Sequence, residues 1–251
     1  MSLRAREVIE RWKQGDRRAL AEAITLLEQG EWEEVDWQAL PAPDAQAVTI
    51  GITGAGGAGK STLVAALVPF LREQGLRVAV LACDPSSPLS GGALLGDRIR
   101  VEPRPADEGF YFRSLSTRGQ PGGISQVVRP AVELLKRAGF QVVLVETVGV
   151  GQDQYAVHDT VDRLLLVLTP ATGDEIQLQK AGVIELADVI AVNKADLPGA
   201  DLLIAMLREC LPETTVIPVV ATQGQGLQRL WAALHPGSEP DIPPPASSEG
   251  A

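Results

Sequence analysis

Five glycines fall within the twelve residues 51–62, GITGAGGAGKST, and the last three of those residues are a lysine and two hydroxyls. Glycine loses more conformational freedom on folding than any other residue. This density is costly unless the backbone needs what glycine permits, positive φ and close approach to another group. The flanks limit the choice. AVTIGIT, before the loop, is a β-branched apolar run of strand type, and KSTLVAALVPFLREQG, after it, reads as a helix ending at Gly75. A strand, a glycine loop and a helix start, in that order, aim several backbone N–H groups at one point, and the helix adds its positive end. Residues 54–61 match G-x-x-x-x-G-K-[ST] in full. The loop is therefore read as a phosphate cradle. Gly54, Gly56, Gly57, Ala58 and Gly59 supply backbone, Lys60 reaches the β- and γ-phosphates, Ser61 ligates Mg²⁺, and Thr62 completes the nucleotide-binding set. A flexible surface loop is the competing reading, and the strand–loop–helix context argues against it.

The rest of the chain alternates to suit. RVAVLAC, FYFRSLS, QVVLVET, RLLLVLT, DVIAVNK and TVIPVV read as further strands. Several are nearly continuous apolar runs, the mark of strands buried on both faces of a parallel sheet. GISQVVRPAVELLKRAG, LPGADLLIAMLREC and GQGLQRLWAAL read as helices between and after them, with Pro130 a possible kink point in the first. The fold class expected is α/β: a mostly parallel sheet with helices on both faces, preceded by N-terminal helices. Residues 2–29 read as two helices separated at Gly15-Asp16, with Asp16 as N-cap. The expected domains are a helical appendage and connector over 1–46, a nucleotide domain over 47–235, and a disordered Pro/Ser-rich tail over 236–251. Trp12, Trp32 and Trp37 all precede residue 40, and they are expected to pin the appendage to the main body.

Composition excludes some functions. A formal net charge of −10 over 251 residues argues against general nucleic-acid binding. No apolar run reaches the ~18 residues of a membrane span, and the charged start MSLRAREVIERWKQ lacks a signal peptide's apolar stretch. Two distant cysteines, Cys83 and Cys210, suggest a reducing, cytoplasmic setting. With only His158 and His235 beside them, no zinc-ligand spacing exists.

Asn193-Lys194-Ala195-Asp196 follows the strand run DVIAV late in the domain. A carboxylate there can accept from guanine N1–H and its exocyclic amine together, whereas adenine offers no such pair and would leave a buried acid unpartnered. GTP and GDP are therefore the expected ligands. The loop 220–223, which holds Ala221 and Thr222, is expected to close the base pocket. Asp84 ends the second strand and Glu146 another, both at the carboxyl edge where ligands of open α/β sheets bind. Either acid can hold Mg²⁺ directly or through water, or serve as a helix cap or solvated charge. Asp97, in GGALLGDRIR, fits the metal task or that of an ordinary surface charge. Gly149 can bring its amide against the γ-phosphate. Gln152 lies three residues beyond Gly149, away from the usual water-positioning place, so slow intrinsic hydrolysis is expected.

Together LACDPSSP, GGALLGDRIR, LVETVGVGQ, GDEIQLQKAGVIELADVIAVNKAD and the glycine loop resemble the MeaB/ArgK family of P-loop GTPases, also known as LAO/AO transport-system ATPases or kinases. The resemblance runs from Gly15 into the last helix. It implies a fold of the signal-recognition-particle/MinD/BioD class. It also implies a GTPase that chaperones an adenosylcobalamin-dependent methylmalonyl-CoA mutase or related acyl-CoA mutase, gating cofactor loading and protecting the enzyme. By the same resemblance Lys60, Asp84, Asp97 and Glu146 match polar active-site positions, with Lys60, Glu146 and Asp97 the catalytic set and Ser61, Asp84, Asp97 and Glu146 the metal set. Residues 173–185 match a mobile segment that couples nucleotide to the mutase, Lys180 within it. Family members often read RPSPS-x-G-x-x-GG where this chain has RSLSTRGQPGG from Arg113. They also continue into a helical C-terminal dimerisation arm where this chain has its proline-rich tail. A monomer or weak dimer held by other surfaces is expected, with a homodimer left open. The alternatives are a metallochaperone-type GTPase, for which one thiol beside Asp84 supplies too few ligands, and a transport-system ATPase or kinase, which N-K-x-D speaks against.

Overall fold

The computed structural model describes residues 3–14, 16–32, 37, 40–84, 107–116, 123–147, 157–170 and 182–235. Seven strands form one sheet: β1 (Val48–Thr53), β2 (Val78–Asp84), β3 (Phe110–Ser116), β4 (Val142–Thr147), β5 (Arg163–Leu168), β6 (Val189–Asn193) and β7 (Thr215–Val219). Their order is β3-β2-β4-β1-β5-β6-β7, and every pairing is parallel rather than mostly so. Every residue of β1, β4 and β6 is buried, as their apolar runs require.

Two faces of the sheet are covered, and the strand period of two assigns each residue to one of them. In β2, Val78, Val80 and Ala82 join the core beneath α3 (Lys60–Glu73) and α7 (Leu227–Leu234), while Ala79, Leu81 and Cys83 join the opposite one. That opposite core is shared with α1 (Leu3–Lys13), α2 (Arg17–Gln29) and α4 (Gly123–Arg137). Farther along the same sheet, α5 (Val183–Leu186) and α6 (Ala200–Cys210) pack on β5, β6 and β7.

The N-terminal helices therefore share a core with the sheet. Ala23, Ile24 and Leu26 are fully buried, and Trp32 lies in the same cluster as Leu134 and Val143. Asp16 caps α2, accepting from the Arg18 N–H at 2.9 Å. The connector is clasped by Arg137, which donates to the carbonyls of Trp37 and Pro41 at 2.9 and 2.8 Å with its guanidinium over the Trp37 ring. Both Trp12 and Trp37 pack against this core, so the three early tryptophans do pin the helices down. Pro69 and Pro130 sit inside α3 and α4. No helix among the described residues is long and apolar enough to cross a membrane. The expected tail over 236–251 lies outside the described residues.

Candidate nucleotide site

Parallel pairing brings the carboxyl ends of the strands to one edge, and the site is built there. β1 runs into the glycine loop and α3 leaves it at Lys60. Gly54 has φ 144° and Gly59 φ 89°, which an L side chain rarely adopts. Space forbids a side chain at both as well. A Cβ on Gly54 would strike the carbonyl oxygen of Val167 in β5, and one on Gly59 would strike the side-chain amide of Asn193. Gly56 and Gly57 face open space instead. The loop is thus packed against β5 and β6 at its ends and open in its middle, as a phosphate cradle requires.

Lys60 is buried, and its ammonium donates to the carbonyls of Gly54 and Ala55 at 2.8 and 2.9 Å. Burial pushes its pKa below the usual lysine value, and the charge of Glu146 pulls it partly back. Ser61 Oγ donates to Glu146 Oε1 at 2.6 Å. Glu146 comes from β4 and Ser61 from α3, so the buried carboxylate and the loop hydroxyl converge from separate elements. Thr147, next to it, donates its hydroxyl to the Ile52 carbonyl at 3.3 Å and keeps β4 against β1 at this edge.

Asn193, at the end of β6, joins three segments. Its amide donates to the Ala58 carbonyl at 3.0 Å, and its oxygen accepts from the Lys194 and Ala221 N–H groups at 2.9 and 3.2 Å. Lys194, at φ 56°, is the described non-glycine residue with positive φ, and its ammonium donates to the Gly57 carbonyl at 3.0 Å. Asp196 lines a cavity of about 200 Å³ together with Gly59, Thr62, Lys194, Ala221 and Thr222. One wall of the cavity is the loop after β7, where Val220 and Gln225 form an isolated bridge. Leu197 also lines it, a residue that sequence reasoning missed because only the turn after Lys194 brings it back.

Asp84 ends β2 at the same edge, though its side chain lies outside the described residues. Asp97, Gly149, Gln152 and residues 173–180, with Lys180, also lie outside them. Arg113 is turned away from the cradle. It donates to Thr25 at 3.0 Å and pairs with Glu28, both on α2. Among the described residues no group of three or more His, Cys, Asp or Glu side chains could hold a metal ion.

A parallel sheet, a G-x-x-x-x-G-K-S loop between strand and helix, and an N-K-x-D loop lining a cavity define a P-loop GTPase, one that binds guanine nucleotide and hydrolyses GTP. The sequence matches the family described as methylmalonyl Co-A mutase-associated GTPase MeaB over residues 20–239, and the chain belongs to that family. A Pyrococcus horikoshii protein named as a GTPase is 44% identical over 91% of this chain and 76% of its own length. The mitochondrial methylmalonic aciduria type A homolog of Mus musculus is 37% identical over 88% of this chain and 60% of its own, and Escherichia coli GTPase ArgK 40% identical over 76% and 59%. A crystal structure of an LAO/AO transport system kinase superposes with a TM-score of 0.70 at 28% identity, over 93% of this chain and 74% of that one. Helicobacter pylori HypB in complex with nickel reaches a TM-score of 0.56 at 16% identity, a likeness of fold alone.

Proposed function

We propose that this GTPase is a nucleotide-driven chaperone for an adenosylcobalamin-dependent acyl-CoA mutase of the methylmalonyl-CoA mutase type, gating cofactor loading and protecting the enzyme. The observation that supports this reading most is the match over residues 20–239 to a family whose description names that mutase. In this reading Lys60 leaves its two loop carbonyls for the β- and γ-phosphates. Asp196 reads guanine N1–H and the exocyclic amine, and Asn193 holds the cradle and the base loops in register. Ser61 and Glu146 present hard oxygen donors of the kind Mg²⁺ takes, and Asp84 and Asp97 are the further carboxylates assigned to it. When bound, the ion neutralises phosphate charge. Glu146 also orients the attacking water, and GTP leaves as GDP and phosphate.

Affinity capture from the native host tests the partner, with the chain loaded with a non-hydrolysable GTP analogue or with GDP. The expected result is an adenosylcobalamin-dependent mutase retained in a nucleotide-dependent amount. A capture without any such mutase in either state contradicts the proposal.

A further inference from the structure

A second concavity adjoins the base pocket. It is a groove of about 540 Å³ between α3 and α7, with Phe70, Pro218 and Leu227 in its lining. Asp196 and Val220 line both the groove and the base pocket. Arg229 stands exposed on the rim and makes no ion pair among the described residues. The first turn of α7 meets the groove with no side-chain cap on Gly226 and no acidic residue of its own, so Asp196 is the acid that lines the groove beside its positive end.

The chain beyond α7 complements this surface. Residues 236–251 carry Glu239, Asp241 and Glu249 and no lysine or arginine, an acidic stretch attached to a chain of net charge −10. Five of its apolar residues are consecutive, Ile242-Pro-Pro-Pro-Ala246. Prolines have φ already fixed, lose little entropy on docking, and favour grooves with an aromatic floor. Reach is sufficient. The groove lies about 10 Å back along α7 from His235, at about 1.5 Å per helical residue. The six residues 236–241 span up to about 20 Å when extended.

We propose that residues 236–251 fold back into this groove. The apolar block lies on Phe70, Pro218 and Leu227, and Glu239 or Asp241 pairs with Arg229. Because Asp196 and Val220 serve both cavities, the seated segment braces the base pocket and raises guanine-nucleotide affinity. This link rests on the base-reading role proposed for Asp196; the seat itself does not.

Amide hydrogen exchange at residues 224–229 tests the seat, comparing the full chain with one ending at His235. The expected result is exchange slowed about fivefold or more in the full chain, a coupling of ordinary size, with GDP affinity falling by a similar factor on deletion. Arg229→Glu in the full chain should lose the protection, and Arg229→Lys should keep it. Equal exchange in the two chains overturns the proposal. So does protection that rises with protein concentration, which would put a second copy in the groove. Protection without any change in GDP affinity leaves the seat and overturns the link. A full chain with no guanine preference would fail the Asp196 reading while the exchange comparison still decides the seat.

Discussion

Ser61 Oγ and Glu146 Oε1 lie 2.6 Å apart, one from the start of α3 and the other from the end of β4. A hydroxyl donating to a buried carboxylate at this distance is a charge-assisted hydrogen bond. It fixes both oxygens at the mouth of the phosphate cradle. Ser61→Ala should weaken nucleotide binding chiefly when Mg²⁺ is present, and Glu146→Ala should lower turnover more than nucleotide affinity. Mant-GDP titration with and without Mg²⁺, alongside single-turnover hydrolysis, separates the two. A Glu146→Ala protein with wild-type turnover would remove the acid from the chemistry.

The proposed function assigns base selectivity to Asp196. Asp196→Asn should cost GTP about 100-fold in affinity or more and shift preference towards xanthine nucleotide, which presents an acceptor where guanine has its amine. Competition between GTP, XTP and ATP for the fluorescent analogue measures it. Equal wild-type affinity for ATP and GTP would refute the assignment.

One core joins the N-terminal helices to the sheet, so they should unfold together. Leu26 is fully buried in the cluster that holds Leu134 and Val143. Leu26→Ala should destabilise the protein by about 2–5 kcal/mol in a single denaturant transition. Two separate transitions would show that the helices are an independent unit.

Tyr111 titrates in the alkaline range. Burial, the larger effect, raises its pKa from the ordinary value near 10 to about 12, while the charge of Arg113 pulls it down and that of Glu28 adds to the rise. The unfolded chain therefore gives up this proton first. Its contribution to stability is fully present below pH 10 and is lost as pH rises through the folded value. Tyr111→Phe should flatten the fall in denaturation midpoint between pH 10 and pH 12. An unchanged slope in that window would show that Tyr111 does not contribute to it.

Much of this architecture was legible from the sequence because each signal was local. The apolar runs QVVLVET, RLLLVLT and DVIAVNK are buried on both faces by α-helices, so their strands needed no partner to be recognised. Gly54 and Gly59 lie in a motif whose spacing is set by the phosphate. Long-range geometry was not legible. An amphipathic α2 announces that Leu20, Ala23, Ile24 and Leu27 face something, but not that the sheet completes their core. Arg113 reads in sequence as a basic residue within the strand run FYFRSLS, with no partner indicated. Strand β3 turns it to Glu28 and Thr25, 85 and 88 residues away. Asn193 reads as a residue of the base pocket, yet its bonds to Ala58 and Ala221 span 135 and 28 residues. No window of sequence displays those contacts.

Mutase-stimulated hydrolysis tests the central claim most directly. GTP turnover by the full chain is measured alone and with the adenosylcobalamin-dependent mutase of the same organism. The account predicts slow turnover alone and a rise of at least about tenfold with the mutase, the scale on which partners complete an unfinished site. Lys180→Ala should keep the basal rate and lose most of the rise. A verified mutase that neither binds the chain in any nucleotide state nor changes its turnover would contradict the account.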